Sequence, residues 1–265
     1  MDIHLSAINV YPVKGIRGIP VPRGFVEPAG LTGDRRWIIV DDHGTFLSQR
    51  TQPRLALLTG AFDGTTLKMD GPGQESLVIR VPDGKERIAV RVWRDEVDAA
   101  AAPAAADRWL SSFLEHPCRL AFMDDDGARP ISSPRGQPGD TVSFADGYPL
   151  LLISEASLAD LNERLDDPLP MDRFRPNLVA AGCAAFAEDR WRRIAIGEAI
   201  FRHAGLCARC SVTTVDQATG IRAGEEPLRT LLDFRQTEAG VVFGVNLVPE
   251  KGGVIAAGDP LTVLD

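Results

Sequence analysis

Four short runs follow one another in the first half of the chain: Leu55 to Leu58, Thr66 to Met69, Ser76 to Val81 and Ile88 to Trp93. Glycine, proline and aspartate separate them, so each reads as a strand closed by a turn. Many short strands at such close spacing predict a barrel or sandwich and argue against alternating strand–helix units. The same grammar runs through the rest of the chain. Ile3 to Val13 is a first strand ending in a turn that carries Lys14 and Gly15, and Arg36 to Asp41 is another with Arg35 at its mouth. Cys118 to Met123, Leu178 to Ala181, Trp191 to Phe201 around Gly197, Val241 to Val248 and Leu261 to Leu264 add further strands, and Pro149 to Ile153 is an apolar run. Helices are few. Trp109, Leu110, Phe113 and Leu114 share a face over Asp107 to Leu114. Ser154 is a natural N-cap for Leu158, Leu161 and Leu165, and Pro227 opens a helix through Phe234. The expected class is mainly β with some α.

Asp124 to Thr141 is polar and holds three prolines and three glycines. That is long for a connection without structure of its own, and such loops serve as lids or domain links. It divides the chain into an expected domain 1–123 and a second domain 124–265.

Composition narrows the function classes. A net charge of −8 disfavours general nucleic-acid binding, which needs a basic face, but leaves room for a local cationic pocket. There is no run of about 20 apolar residues to span a membrane. The segment Met1-Asp2-Ile3-His4-Leu5 has no charged-then-apolar leader, so no signal peptide is expected. Four cysteines in 265 residues make no disulfide framework, which points to a reducing cytoplasm.

Two of those cysteines lie in Cys207-Ala208-Arg209-Cys210, followed by Val212-Thr213-Thr214-Val215. The β-branched run reads as a strand, which puts Cys210 where a loop enters a sheet. Arg209 beside it would favour a thiolate, since a nearby cation lowers a thiol pKa. A thiolate is both a nucleophile and a soft metal ligand. A structural zinc site wants four ligands, but Cys118 and Cys183 are isolated and the four histidines have no paired spacing. A thioredoxin-type pair wants a helix after the first cysteine, and a β-branched run follows instead. The remaining reading is two buried cysteines without chemistry. Against it stands a shared habit of Lys14, Arg35, Arg175 and Arg209, each at a strand end or tight turn. Singly these are solvated surface charges; together they could converge on an anion, because arginine offers a two-pronged fork to phosphate.

The residues that settle the direction are Tyr11-Pro12-Val13-Lys14-Gly15, Gly33-Asp34-Arg35-Arg36-Trp37, Ser154 to Leu158, Phe174-Arg175-Pro176-Asn177, Cys207 to Cys210 with Thr213 to Asp216 and Thr219-Gly220, and Gly258-Asp259-Pro260. In this order, over nearly the whole chain, they resemble a MOSC domain, the molybdenum-cofactor sulfurase C-terminal type, preceded by its N-terminal β-barrel domain. The resemblance is nearest to the mitochondrial amidoxime-reducing components and their bacterial counterparts.

It implies two β-barrel domains and a molybdopterin enzyme in which one cysteine thiolate ligates molybdenum. Cys210 matches the ligand and Cys207 does not. Lys14, Arg35 and Arg175 match positions that hold the cofactor's phosphate and pterin, with Gly15 and Arg209 beside them. Asp146 and Asn177 match polar residues near the cofactor. Asp146 is a candidate for proton delivery, against the alternative that it only orients the pterin or caps a turn. Gly15 and Ala208 stand where the family often has serine, so two hydroxyls are missing. The implied activity is reduction of a small N-hydroxylated compound, N–OH to N–H. With no ferredoxin-type domain after Asp265, the electrons are expected from a separate ferredoxin- or flavodoxin-type reductase system. The chain starts directly with the barrel, without the membrane-anchoring N-terminus of the mitochondrial relatives, so no membrane partner is expected. Pyridoxal phosphate binding, often ascribed to MOSC domains, is a further implication. The alternative within the resemblance is a non-redox role, either as a sulfur carrier with a persulfide on Cys210 or as a cofactor-binding protein.

Overall fold

The strand Trp37–Val40 shows how the chain builds its interior. All four residues are buried, and they divide by parity. Trp37 and Ile39 enter one core with Leu55, Leu67, Leu110 and Phe113, while Ile38 and Val40 enter another with Val90, Val92 and Phe144. Side chains alternate across a strand, so an unbroken apolar run marks a strand covered on both faces. Leu150–Ser154 repeats the pattern: Leu150 and Leu152 face the core of Leu5, Ile8, Phe201 and Ile255, whereas Leu151 and Ile153 face Phe174 and Phe243.

A computed structural model describes residues 2–124, 129–132, 135–222 and 224–265. Residues 125–128 and 133–134 of the expected lid or link lie outside the described residues. The fold is α+β and mostly β, as expected. The largest sheet runs in the order Ile19–Val21, His4–Val10, Leu178–Ala181, Leu150–Ser154, Gly240–Lys251, Ala199–Ala208, Arg193–Ile196, Leu261–Val263. One neighbouring pair, Leu150–Ser154 with Leu178–Ala181, is parallel, and a crossover through the helix Glu155–Asn162 joins it. Ser154 caps that helix as expected, its hydroxyl accepting the Ser157 N–H at 3.1 Å. A four-stranded sheet (Trp37–Val40, Arg119–Phe122, Asp95–Ala101, Arg87–Val92) and the sheet Thr59–Phe62, Thr66–Asp70, Leu77–Arg80 make up most of the first half, with the helix Ala104–Leu114 packed beside them.

Strand pairing crosses the 123/124 division in both directions. His4–Val10 pairs with Leu178–Ala181, and Gly253–Ala256 returns to pair with Arg23–Glu27. The segments that enter the cleft described below come from both sides of this exchange.

Three local expectations are corrected. Leu55 to Leu58 is not a strand; Pro53–Leu57 is a 3₁₀ helix with proline in its first turn. Val212 to Val215 is not a strand either, since Ser211–Thr214 is a 3₁₀ turn. The strand is Ala199–Ala208, before the cysteine, so Cys210 stands where the chain leaves the sheet. Threonine hydroxyls account for the second case: Thr213 and Thr214 donate to the Cys210 and Ser211 carbonyls at 2.9 and 2.8 Å, closing the turn on itself. Lastly, the helix expected over Asp107 to Leu114 starts earlier, at Ala104, and the residues before it, Asp95–Ala101, form a strand in which Ala100 opposes Phe122.

Candidate active site

The segments Pro12 to Gly15 and Arg35 to Trp37 zip together by main-chain bonds: Arg35 N–H to Tyr11 O, Trp37 N–H to Pro12 O, and Lys14 N–H to Trp37 O at 2.7, 3.1 and 2.8 Å. Gly15, at φ +91°, then turns the chain away, a conformation open to glycine at little cost. A cleft of about 180 Å³ opens at this point between the two halves. Lys14, Gly15, Arg35, Asp146, Arg175, Asn177, Arg209 and Cys210, all eight residues singled out from the sequence, line it. Cys207, Ala208, Phe46, Gln49 and Arg50 line it too.

Its floor is cationic. Lys14 is 7% exposed, donates to the Phe144 carbonyl at 2.8 Å and to Asp146 Oδ1 at 2.5 Å, and lies over the Phe46 ring. Burial lowers the Lys14 pKa, and the Asp146 charge works the other way. Burial would raise the Asp146 carboxyl, but the charge and hydrogen bond of Lys14, with the Trp93 indole and Arg50, hold it below the ordinary carboxylate range. The Asp146 side chain is 62% exposed all the same, so it faces the open cleft.

Next to this pair, two guanidinium groups lie against the Tyr11 ring, Arg35 at 4.2 Å and Arg175 at 4.4 Å from its centre. Burial pushes the Tyr11 phenol up to about 12 and pulls Arg175 down to about 10, so both keep their neutral-pH charge states. Arg35 Nη1 donates to the buried Asp34 at 2.5 Å and to Asn177 Oδ1 at 2.8 Å. Asn177 is 1% exposed and is used by the protein itself, its amide nitrogen donating to the Asn9 carbonyl at 3.1 Å. Arg175 differs: its Nη1 is buried without a hydrogen-bond partner. An unpaired donor on a buried cation is costly, and it marks a place shaped for an acceptor that the chain does not supply.

Arg209 does not serve Cys210. Its Nη1 lies 3.1 Å from the Cys207 sulfur and its Nη2 donates to the Phe174 carbonyl at 2.7 Å. Residues 207 and 209 share a side of an extended chain and 210 takes the other, so neighbours in sequence part company in space. The cation that reaches the Cys210 sulfur is Arg50, with Nη1 at 3.5 Å. Arg50 also stacks on Trp93, 4.7 Å from the ring centre, and its carbonyl accepts from Arg222 at 3.0 Å. Sequence reasoning missed Arg50. The signal was Phe46 to Arg50 next to Pro53, a polar stretch between strands ending in a basic residue, as at Lys14 and Arg35. The buried amides of Gln49 and Gln217 donate to each other's oxygens at 3.0 and 2.8 Å and tie the Arg50 segment to the loop after Cys210.

Cys210 is exposed, Cys207 partly so and Cys118 buried, and none is in a disulfide. Among the described residues no three His, Cys, Asp or Glu side chains gather to hold a metal. Among the described residues no helix is long and apolar enough to cross a membrane. Three residues other than glycine have positive φ at the cleft: Arg35 at 47°, Trp93 at 59° and Arg175 at 59°. Each costs about 1–3 kcal/mol, and such conformations persist where surrounding contacts over-determine them.

Profiles of known families match both halves: the MOSC N-terminal β-barrel domain over residues 3–117 and the MOSC domain over residues 139–262. The chain is 34% identical to mitochondrial amidoxime-reducing component 1 of Homo sapiens, with 98% of this chain and 82% of that protein aligned. It is 32% identical to component 1 of Xenopus laevis, covering 97% and 81%, and to component 2 of Rattus norvegicus, covering 97% and 82%. These names overturn the expected cytoplasmic location: the relatives are named for the mitochondrion, and reduced cysteines do not distinguish one reducing compartment from another. Pyridoxal phosphate gains no support, since neither the matching family descriptions nor the relatives named above mention it and the lysine of the cleft is held by Asp146. The matches span both halves of the chain in the order that its motifs set, and the chain is a MOSC-domain protein with an N-terminal MOSC β-barrel, a member of the family of the mitochondrial amidoxime-reducing components.

Proposed function

We propose that this cleft binds the molybdenum cofactor and that the protein reduces small N-hydroxylated compounds, taking electrons from a separate donor protein. The observation that carries the proposal is the convergence of an exposed Cys210 thiol with a buried cationic wall whose Arg175 Nη1 has no acceptor of its own. A phosphate-bearing, sulfur-rich group fits this donor set: guanidinium and ammonium suit the phosphate, and a single soft thiolate suits the metal. Arg175 and Lys14 would hold the phosphate. Gly15 and Ala208 would present backbone rather than hydroxyl donors. Arg35 and Asn177 would fix the wall, since their polar atoms already bond to each other. Cys210 would be the metal's protein ligand, with Arg50 beside its sulfur.

The bound group supplies two-electron redox chemistry that removes the substrate's hydroxyl oxygen. The overall change, N–OH with two electrons and two protons to N–H and water, leaves the protein to bind, orient and admit protons. Asp146 is ionised and paired with Lys14, which supports an orienting role over proton delivery. The open face of the cleft lets protons come from solvent.

The sulfur-carrier reading also uses an exposed Cys210, but it gives no work to the unpaired Arg175. The two separate on measurement. Protein made in a molybdopterin-competent host should hold molybdenum and, with a chemical or protein electron donor, reduce an amidoxime. A Cys210→Ala variant should lose both properties, and one that kept both would refute the assignment. A stable persulfide on Cys210 with no bound pterin would favour the carrier.

A further inference from the structure

Trp93 occupies a place that hairpins do not give to tryptophan. Val92 pairs with Asp95, so Trp93 and Arg94 alone make the turn between Arg87–Val92 and Asp95–Ala101. The first residue of such a turn takes positive φ and is ordinarily glycine, asparagine or aspartate. Here it is a tryptophan at φ +59° that is 53% exposed. The other three tryptophans are placed differently: Trp37 and Trp191 are buried, and Trp109 packs on Phe113. Three contacts hold Trp93 over the cleft. Its indole N–H donates to Asp146 Oδ1 at 3.1 Å, its ring meets Phe46 edge-on at 5.3 Å, and Arg50 lies against it. Arg50 also reaches the Cys210 sulfur, so the indole lies within about 10 Å of that sulfur, one guanidinium away. A strained, solvent-facing aromatic pinned at the rim of a cleft does nothing for the hydrophobic core. Its open area is suited to stacking a flat conjugated ring that enters the cleft.

Resting on the reductase reading above, we propose that Trp93 is a specificity-determining residue that favours N-hydroxylated substrates bearing an aryl or heteroaryl ring over aliphatic ones. The indole stacks the substrate's ring at the mouth while the N–OH group points down past Arg50 toward Cys210. Trp93 takes no part in the chemistry; it sets which molecules are held long enough to react.

The test compares benzamidoxime with acetamidoxime on the cofactor-loaded protein. The readout is the ratio of their kcat/KM values in wild type, Trp93→Phe and Trp93→Gly. Trp93→Gly relieves the positive φ, so a folding defect does not confound it, and Trp93→Phe keeps a ring but loses the bond to Asp146. The ratio should fall about five- to tenfold in Trp93→Gly, chiefly through KM, and stay within about twofold in Trp93→Phe. An unchanged ratio in Trp93→Gly overturns the proposal even if both compounds are reduced. If wild type reduces neither compound, the reductase reading fails, and tryptophan emission of the cofactor-free protein decides the role of Trp93. Saturable quenching by benzamidoxime that is lost in Trp93→Gly supports an aryl-stacking site; quenching that is absent or that persists in the variant overturns it.

Discussion

Asp34 is the buried anion on which one wall of the cleft depends. It is 2% exposed, accepts the Tyr11 N–H at 2.8 Å and pairs with Arg35 at 2.5 Å. Burial raises its pKa despite the opposing pull of the Arg35 charge, so the interior tolerates the carboxylate only because its partners are in place. Asp34→Ala would leave a guanidinium, 13% exposed, with no counter-charge beside it and only the neutral Asn177 oxygen and Tyr11 ring in contact, and would orphan the Tyr11 N–H. Breaking one side of a buried pair costs about 3–5 kcal/mol, which for a chain of this size lowers Tm by roughly 6–20 °C. Replacing both partners is a different perturbation. Asp34→Ala with Arg35→Met removes the stranded charge, and the double variant should recover at least about 2 kcal/mol relative to the sum of the singles. Thermal or urea unfolding of the four cofactor-free proteins completes the cycle. Single-variant costs that add to within about 0.5 kcal/mol would show that the pair is not coupled and that the account of this wall is wrong.

Gly15→Ser should destabilise the protein by about 1 kcal/mol, because φ is +91° and the new Cβ would lie 3.3 Å from Leu55 Cδ1; equal unfolding midpoints would contradict this. Asp146 has a folded-state pKa below its unfolded value of about 3.9, so its contribution is fully present above that pH and is lost as pH falls further. Asp146→Asn should therefore flatten the acid limb of the stability–pH curve, and an unchanged acid limb would count against the Lys14 pairing. Alkylation of the native protein near pH 8, followed by peptide mass mapping, should modify Cys210 first and Cys118 last, since Cys118 is 3% exposed and burial pushes its thiol up to about 11. Early loss of Cys118 would mean that its core opens.

Much of this protein could be read from local pattern. Apolar runs such as Trp37 to Val40 and Leu150 to Ile153 announce strands covered on two faces, and Ser154 announces a helix start, because burial parity and capping act over a few residues. Lys14, Arg35, Arg175 and Arg209 were legible as basic groups at strand ends or turns and Cys210 as one of a cysteine pair, whereas Gly15, Asp146 and Asn177 came from the family resemblance; all eight line one cleft. Their partners were not legible. Arg209 stands next to Cys210 in the chain yet serves Cys207, and Arg50, 160 residues away, faces Cys210 instead. The β-branched run after Cys210 became a 3₁₀ turn because hydroxyl-to-carbonyl bonds outweighed a weak strand propensity. The exchange of His4–Val10 and Gly253–Ala256 between the halves is a matter of long-range pairing that no short window contains. Residue chemistry and local rhythm belong to the chain itself, whereas which cation meets which sulfur, and which arginine is left unpaired, is decided only when distant segments close on each other, because charge and hydrogen-bond energies depend on distance in space and not on separation in sequence.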